Sequence, residues 1–530
     1  MSAPPIGWDY LVLTASNALQ ARAYESQLSL RREYAMLPQV REALVVADLE
    51  DRRIGSGGST LLCLLRIVES ERLRHGRCDG VAEILRKLRI LIVHAGGDSR
   101  RLPAYGPCGK IFVPLPGASD SPLPATLFDR LVPDFLALPP GVSGRGQVVV
   151  AAGDALVLFD AAHVSFGKPG LTALGCYAVP EEASRHGVFA IGEDGAVSVY
   201  LQKPSIAEQR VKGAIGAVGL APLDVGVMSL DGEAAESLLD AFGVAETPAA
   251  LLSRKIDLYR EICCAMGSAA SLEHYLSSVR ASGSTWSEEE LARVYPVLNR
   301  IPLHVELVPS CRFLHFGSTR QLIESGQALV AGAGAGSVLS VNNCVASTAR
   351  IDARDSWVEG CRIRADLQLA GQNVLAGVDV DAPLSLPHGA CLEVLRGRSR
   401  DGADVWFVRC YGSGDSFKGD SLFCGRPIGD WIAAVGLADD DIWPEARDGA
   451  ERSLWTARVF PAESSVGNYR RWLWMYTPEA ATARELQRFR GVDRYSAAEI
   501  AFLADQAAFH SRRLEIWKTA LTEPGNYSKE

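Results

Sequence analysis

Through the first 300 residues, short apolar runs alternate with stretches whose apolar residues recur at helical spacing. "YLVLTAS" (Tyr10–Ser16) reads as a buried strand, and the pattern predicts a helix over Ala18–Tyr34. "GSGGSTLLCLLRIVESERL" begins as a glycine-rich loop and opens a second helix near Ser59. "ILRKLRILIVHAGG" runs into a second strand and "QVVVAAGDALVLF" into a third, while "VSVYLQKPS" and "VGLAPLDVGVMSL" supply later ones. Strands alternating with helices predict a mostly parallel sheet covered on both faces, a Rossmann-like α/β domain over residues 1–305.

Beyond residue 305 the period changes. Val345, Ile351, Trp357, Ile363, Leu369 and Leu375 stand six apart. The positions that follow them are mostly short (Ala346, Asp352, Ala370, Ala376), with Val358 and Arg364 as exceptions. Six fits neither an amphipathic helix nor an alternating strand. It fits a parallel β-helix whose flat faces each take one inward apolar residue per repeat. Asp381 and Pro387 break the pattern, so a short β-helix of two or three coils is expected within a domain spanning 306–430. "AGAGAGS" (Ala331–Ser337) precedes it and reads as a linker. Residues 431–530 read as a helical C-terminal segment. "YSAAEIAFLADQAAFHSRRLEIW" opens with a capping box, Ser496 with Glu499, and the Trp-rich Tyr469–Tyr476 is expected in the core.

Composition narrows the function. A chain of 530 residues with 48% hydrophobic and 22% charged residues is ordinary globular protein of two or three domains. A net charge of −9 argues against a broad nucleic-acid surface. No apolar run approaches a membrane span, and the first ten residues have neither the charged nor the apolar region of a signal peptide, so no membrane partner and a cytoplasmic location are expected. The 12 cysteines form no C-x-x-C pair and no zinc spacing, which fits buried, reduced thiols.

The chemistry centres on "ILIVHAGGDSRRLPAYGPCGK", Ile90–Lys110. A dinucleotide fold would need G-x-G-x-x-G, and a P-loop would need G-x-x-x-x-G-K-[ST]; here Lys110 is followed by Ile111 and no glycine stands at the upstream position. A different triphosphate loop does fit. Gly96 and Gly97 allow close backbone approach to phosphate oxygens, N–H groups there can form an anion-binding concavity, and Arg101 and Lys110 add fixed positive charge. The early "GSGGSTLL" reads equally as a ligand cradle at a helix N-terminus (Gly55, Gly57, Gly58) or as a plain helix-opening loop.

Gly96, Gly97, Arg101, Leu102, Pro103 and Lys110, in that order, resemble the sugar-1-phosphate nucleotidyltransferases. Asp98-Ser99-Arg100 replaces the commoner x-Gly-Thr, and that departure resembles one branch, the fucose-1-phosphate guanylyltransferases and the pyrophosphorylase half of bifunctional fucokinase/GDP-fucose pyrophosphorylases. "KIDLYREI" (Lys255–Ile262), "FLHFGSTRQL" (Phe313–Leu322) and "LWTARVFP" (Leu454–Pro461) extend the likeness over most of the chain. The resemblance implies GTP and a sugar 1-phosphate as substrates, with fucose leading over another 6-deoxy or manno-type sugar. It implies Ser99 as part of the nucleotide loop and Asp154 as the ligand of Mg²⁺. Asp224 is implied as a second metal ligand or sugar contact, and Gly187 and Lys203 as the grip on the acceptor phosphate, although Gln202 stands where the family has Glu. A regulatory relative that binds nucleotide-sugar without turnover would lack the Arg, Lys or Asp, and all are present. The last two hundred residues hold no P-x-G-x-G-L-G-x-S kinase loop, so the chain is expected to be monofunctional or one half of a longer protein; a kinase domain and self-association both stay open. His315 is expected to be structural, and Asp98 and Arg100 receive no role.

Overall fold

The structure, a computed structural model, describes residues 7–76, 79–97, 99–117, 121–192, 195–244, 248–330, 338–419, 422–444 and 452–522. Ala331–Ser337 and Asp98 lie outside them, so the linker is not described. The chain forms two compact units, Met1–Gly96 with Leu131–Phe313, and Gly97–Arg130 with Leu314–Glu530. This grouping differs from borders at 305/306 and 430/431 in two ways. The segment 97–130, which carries Arg101 and Lys110, belongs to the second unit, and the C-terminal helices belong to that same unit.

The first unit is built on a nine-stranded sheet. β1 (Trp8–Ala15), β2 (Val40–Ala47), β3 (Arg89–His94) and β4 (Gln147–Ala152) are parallel, in the order β2–β1–β3–β4. A short β5 (Ala155–Leu158) follows Asp154. β6 (Leu171–Ala178) and β10 (Leu303–Leu307) are parallel to each other. β9 (Ala221–Leu230) lies between β4 and β6 and is antiparallel to both, and the hairpin β7 (Gly187–Ile191) and β8 (Val197–Gln202) attaches to it. The expected parallel order thus holds on one side of the sheet and turns mixed at β9. Leu11, Val12 and Leu13 of β1 and Ile90, Leu91, Ile92 and Val93 of β3 are all completely buried, as expected for central strands covered on both faces. α1 (Ala18–Glu33) starts where expected because the Asn17 side chain accepts from Gln20 N–H. α2 (Gly55–His75) begins at Gly55, four residues before Ser59.

β11 (Arg312–His315) carries the chain into the second unit, where a helix, Thr319–Leu329, precedes three stacks of parallel strands. One stack runs β12 (Val338–Val341), β15 (Ser356–Glu359), β18 (Val374–Ala376) and β21 (Ala390–Arg398). The second contains β13 (Cys344–Val345), β16 (Arg362–Ile363) and β19 (Asp379–Val380). The third contains β14 (Ile351–Ala353), β17 (Leu367–Leu369) and β20 (Leu384–Leu386). The residues spaced by six fall one to each strand in turn, so each moves the chain to the next stack. β22 (Asp404–Gly412) then pairs antiparallel with β21 and ends the parallel run. The remaining short strands are β23 (Leu422–Phe423), β24 (Arg426–Pro427), β25 (Phe460–Glu463) and β26 (Arg494–Tyr495). The Trp-rich stretch is a 3₁₀ run, Val466–Tyr476, that buries Trp472 and Met475 fully. The Ser496–Glu499 capping box is present, but the helix it opens stops at Leu503. Asp505 N–H bonds Arg396 O, and the Asp505 carboxylate caps a separate helix, Gln506–Thr522.

Among the described cysteines, nine are free, which fits reduced thiols. Cys176 and Cys311 depart from that expectation and are joined as a disulfide in the first unit, with Cα atoms 6.3 Å apart.

Candidate active site

In the first unit, β3 delivers the start of the signature loop. His94 ends the strand, and its ring lies between Thr14 Oγ1 (3.5 Å from Nδ1) and Thr60 Oγ1 (3.0 Å from Nε2). Packing around the imidazole holds its pKa down to about 4, so the ring is neutral. Thr14 Oγ1 also accepts from Ala95 N–H at 3.2 Å, and Tyr24 O–H donates to Ala95 O at 2.9 Å. Gly96 passes so close to the end of β1 that a Cβ would stand 3.3 Å from Ser16 N.

The glycine run at the start of α2 has a structural role. Gly57 and Gly58 N–H both bond Ile256 O, at 2.8 and 3.2 Å, and a Cβ on Gly55, whose φ is +83°, would lie 2.3 Å from the same oxygen. The Gly57 and Gly58 N–H groups are thus already bonded, an arrangement that fits the helix-opening reading of this loop.

Two carboxylates differ sharply. Asp154 is exposed and follows β4, where Gly153 N–H bonds His94 O at 3.0 Å, so it stands at the C-terminal ends of the paired strands β3 and β4. That is where parallel sheets hold ligands. Asp224 is buried in β9; its carboxylate accepts from Tyr200 O–H at 2.9 Å and from Gly226 N–H at 2.7 Å. Burial raises its pKa to about 6 against these two donors. Among the described residues no group of three or more His, Cys, Asp and Glu side chains is arranged to hold a metal. Magnesium does not require one, since it is commonly held by one or two carboxylates together with substrate phosphates. The solvated Asp154 fits that role. Asp224, desolvated and bonded at both oxygens, fits a hydrogen-bonding contact better than a cation ligand.

The sequence did not single out Tyr200 or Tyr259. A Cβ on Gly187 would lie 1.9 Å from Tyr200 O, so only glycine leaves room for the phenol that reaches Asp224. Gly187 pairs with Gln202 across the hairpin. Lys203, next along, is exposed with φ +51° and its N–H bonded to His186 O at 2.9 Å. Burial, with the charges of Asp224 and Asp154 among the contributors, holds the Tyr259 hydroxyl well above its ordinary pKa. The first unit thus groups Gly187, Tyr200, Gln202 and Asp224, with Lys203 at the end of the same hairpin.

In the second unit, Arg101 is exposed and Lys110 half-buried, and the fold brings them together. A Cβ on Gly317 would lie 3.7 Å from Lys110 Nζ and 4.0 Å from Arg101 Nη2. Thr319 N–H bonds Arg101 O at 2.9 Å, which ties the signature loop to "FGST". Two like charges over one glycine favour an anion there. Gly97 has φ +147°, with open space where a Cβ would stand. Ser99, at the position where the commoner motif has glycine, adopts the left-handed φ of +53°; its hydroxyl is buried without a hydrogen-bond partner among the described residues. The Arg100 guanidinium lies 5.4 Å from the centre of the Trp455 ring. His315 O accepts from Ser325 O–H at 2.6 Å. Gly317 stood in a quoted motif, but no spacing tied it to Arg101 or Lys110.

Residues 82–465 match the family described as the fucose pyrophosphorylase domain. The chain is 26% identical over 93% of its length to a bifunctional fucokinase/GDP-fucose pyrophosphorylase of Arabidopsis thaliana, covering 50% of that protein. It is 26% identical over 89% of its length to an L-fucokinase/L-fucose-1-P guanylyltransferase of Bacteroides fragilis, covering 48%. It is 28% identical over 60% of its length to a fucose-1-phosphate guanylyltransferase of Mus musculus, covering 56%. The chain spans about half the length of these relatives.

Proposed function

The chain belongs to the fucose pyrophosphorylase family, and from that premise we propose that it transfers the guanylyl group of GTP to L-fucose 1-phosphate. A phosphate oxygen of the sugar 1-phosphate attacks the α-phosphorus in line, the bond from that phosphorus to the bridging oxygen breaks, and pyrophosphate leaves with the electron pair. No covalent enzyme intermediate is required; positioning and charge neutralisation carry the rate.

The convergence of Arg101 and Lys110 at Gly317 is the observation that carries this reading. In it, both cations stabilise the triphosphate and the charge that develops on the leaving pyrophosphate. Gly96, Gly97 and Ser99 form the nucleotide loop, the Ser99 hydroxyl being a donor without another use. Lys203 grips the acceptor phosphate beside Gly187, and the Asp224–Tyr200 pair holds a sugar hydroxyl. Asp154 would hold Mg²⁺, which when bound offsets triphosphate charge. We read the three parallel stacks as a short β-helix, following a nucleotidyltransferase domain. The names of two relatives include a fucokinase, and only the guanylyltransferase activity is assigned to this chain. No helix among the described residues is long and apolar enough to cross a membrane; a cytoplasmic setting belongs to the proposal.

Pyrophosphate release from a panel of sugar 1-phosphates against all four nucleoside triphosphates, with Mg²⁺, tests the assignment. Turnover with GTP and fucose 1-phosphate is expected, and Lys110→Ala should abolish it in a folded protein. Near-normal turnover by that variant would refute the assigned chemistry.

A further inference from the structure

The stretch between Arg101 and Lys110 is buried on its underside. Leu102, Tyr105, Cys108 and Ile111 are completely inaccessible. Two buried ion pairs of the second unit support it there. On β21 and β22, Glu393 and Arg409 stand directly opposite each other, 2% exposed each. One nitrogen of Arg409, Nη2, donates both to Glu393 Oε1 at 2.6 Å and to Pro103 O at 2.8 Å. Two residues on, the Tyr105 hydroxyl accepts from Trp357 Nε1 at 2.7 Å and donates to Glu359 Oε2 at 3.2 Å. Glu359 is fully buried, and the same oxygen accepts from Arg513 Nη2 at 2.7 Å. Arg513 comes from the helix Gln506–Thr522 and lies 3.3 Å from the centre of the Phe509 ring.

Buried ion pairs are a costly way to hold a fold together. Desolvation takes several kcal/mol per ion, and apolar replacements of equal volume are often neutral or stabilising. Here both pairs end on one short stretch, the backbone oxygen of Pro103 and the side-chain hydroxyl of Tyr105, and each leaves a carboxylate oxygen, Glu393 Oε2 and Glu359 Oε1, without a hydrogen-bond partner among the described residues. An arrangement this poorly satisfied is a weak source of stability. What it supplies is direction: one guanidinium nitrogen shared between Glu393 and Pro103 O, and a phenol bonded on both sides, hold the loop at two points between the two cations.

We propose that Arg409 and the Tyr105–Glu359–Arg513 chain are positioning residues for the phosphate loop, acting on the reaction only through Arg101 and Lys110. The inference rests on the proposed roles of those two cations. It makes the second unit, including the helix at the far end of the sequence, part of the catalytic apparatus. A misplacement of about 1 Å in such a group can slow a reaction on the order of 100-fold.

The test compares Tyr105→Phe, which removes one oxygen, and Arg409→Lys, which keeps the charge beside Glu393 but replaces the planar guanidinium, whose Nη2 bonds both Glu393 and Pro103 O, by a shorter ammonium. Both are assayed as full-length protein with GTP, fucose 1-phosphate and Mg²⁺, alongside the parent and Lys110→Ala. Each variant is expected to lose tenfold or more in kcat per folded molecule, with KM for fucose 1-phosphate within twofold of the parent. A purely structural role would lower Tm and the folded fraction and leave kcat per folded molecule unchanged. If Arg409→Lys does not fold, Tyr105→Phe decides alone. A parent that turns over, a dead Lys110→Ala and a Tyr105→Phe with normal kcat would overturn this inference and leave the guanylyltransferase reading intact. A parent without pyrophosphate release would overturn both.

Discussion

Asp224→Asn separates what the buried carboxylate does for stability from what it does for the reaction. Asp224 has its pKa raised from its ordinary 3.8 to about 6, chiefly by burial. The Gly226 and Tyr200 donors pull the other way without offsetting it. A carboxyl whose folded pKa lies above its unfolded one binds more protons when folded. Its contribution is therefore fully present in acid and is lost as pH rises from about 4 through about 6. The difference of roughly two pH units is worth about 3 kcal/mol, paid at every pH above the folded pKa. Asparagine mimics the protonated acid: its oxygen can accept from Gly226 N–H, and its amide can donate to the Tyr200 oxygen. The variant should consequently match the parent near pH 4 and exceed it by about 3 kcal/mol at pH 8, a rise of roughly 5 °C or more in the Tm of a unit this size. Calorimetry of both proteins from pH 4 to 8 measures this. Activity should move oppositely, with kcat/KM for fucose 1-phosphate climbing through pH 6 in the parent and staying low in the variant. A Tm difference that is the same at both ends of the range would refute the reasoning, because it would mean Asp224 is not forced to ionise in a desolvated place.

Ser99→Gly should relieve a left-handed serine and remove an unpartnered buried hydroxyl, so a gain of about 1 kcal/mol is expected after the entropy of the added glycine. The same change should raise KM for GTP about tenfold if the hydroxyl meets a phosphate oxygen; a stabilised protein with unchanged KM removes Ser99 from the nucleotide loop. Gly187→Ala would push a methyl to within 1.9 Å of the Tyr200 oxygen. A loss of about 2 kcal/mol or more is expected, together with a drop in turnover, as Tyr200 leaves Asp224; a thermal melt and a rate at saturating substrate check it, and wild-type values for both would contradict the packing.

What could be read in advance follows from the range of each signal. The strand ending at His94 was legible because four consecutive apolar residues must be buried on both faces. The six-residue period was legible because each strand of the stack repeats the same demand for one inward side chain, as Trp357 and Ile363 do. The antiparallel placement of β9 was not legible, since "LDVGVMSL" carries the same apolar run whichever way its neighbours point. The glycines of "GSGGS" could be read two ways for a related reason: close approach to Ile256 O and close approach to a phosphate require the same missing Cβ. The Ile256 oxygen they meet lies some two hundred residues away.

Ser99 joins the legible and the illegible parts. Motif comparison alone marked Asp98-Ser99-Arg100 as a departure from x-Gly-Thr, and glycine in such a loop is normally there for its backbone. The serine keeps that left-handed backbone, φ +53°, so the departure changes the chemistry of the loop and not its path. A strained residue persists only where its surroundings over-determine it. Three bonds supply those surroundings: Leu102 N–H holds Ser99 O at 2.7 Å, Thr319 N–H holds Arg101 O, and Arg409 holds Pro103 O. Two of these partners could not be found from the loop's own sequence, because Thr319 and Arg409 are remote from it in the chain. The loop that reads most clearly as a motif is therefore the one whose conformation depends most on residues outside it. That dependence is why a serine can stand where the commoner motif has glycine.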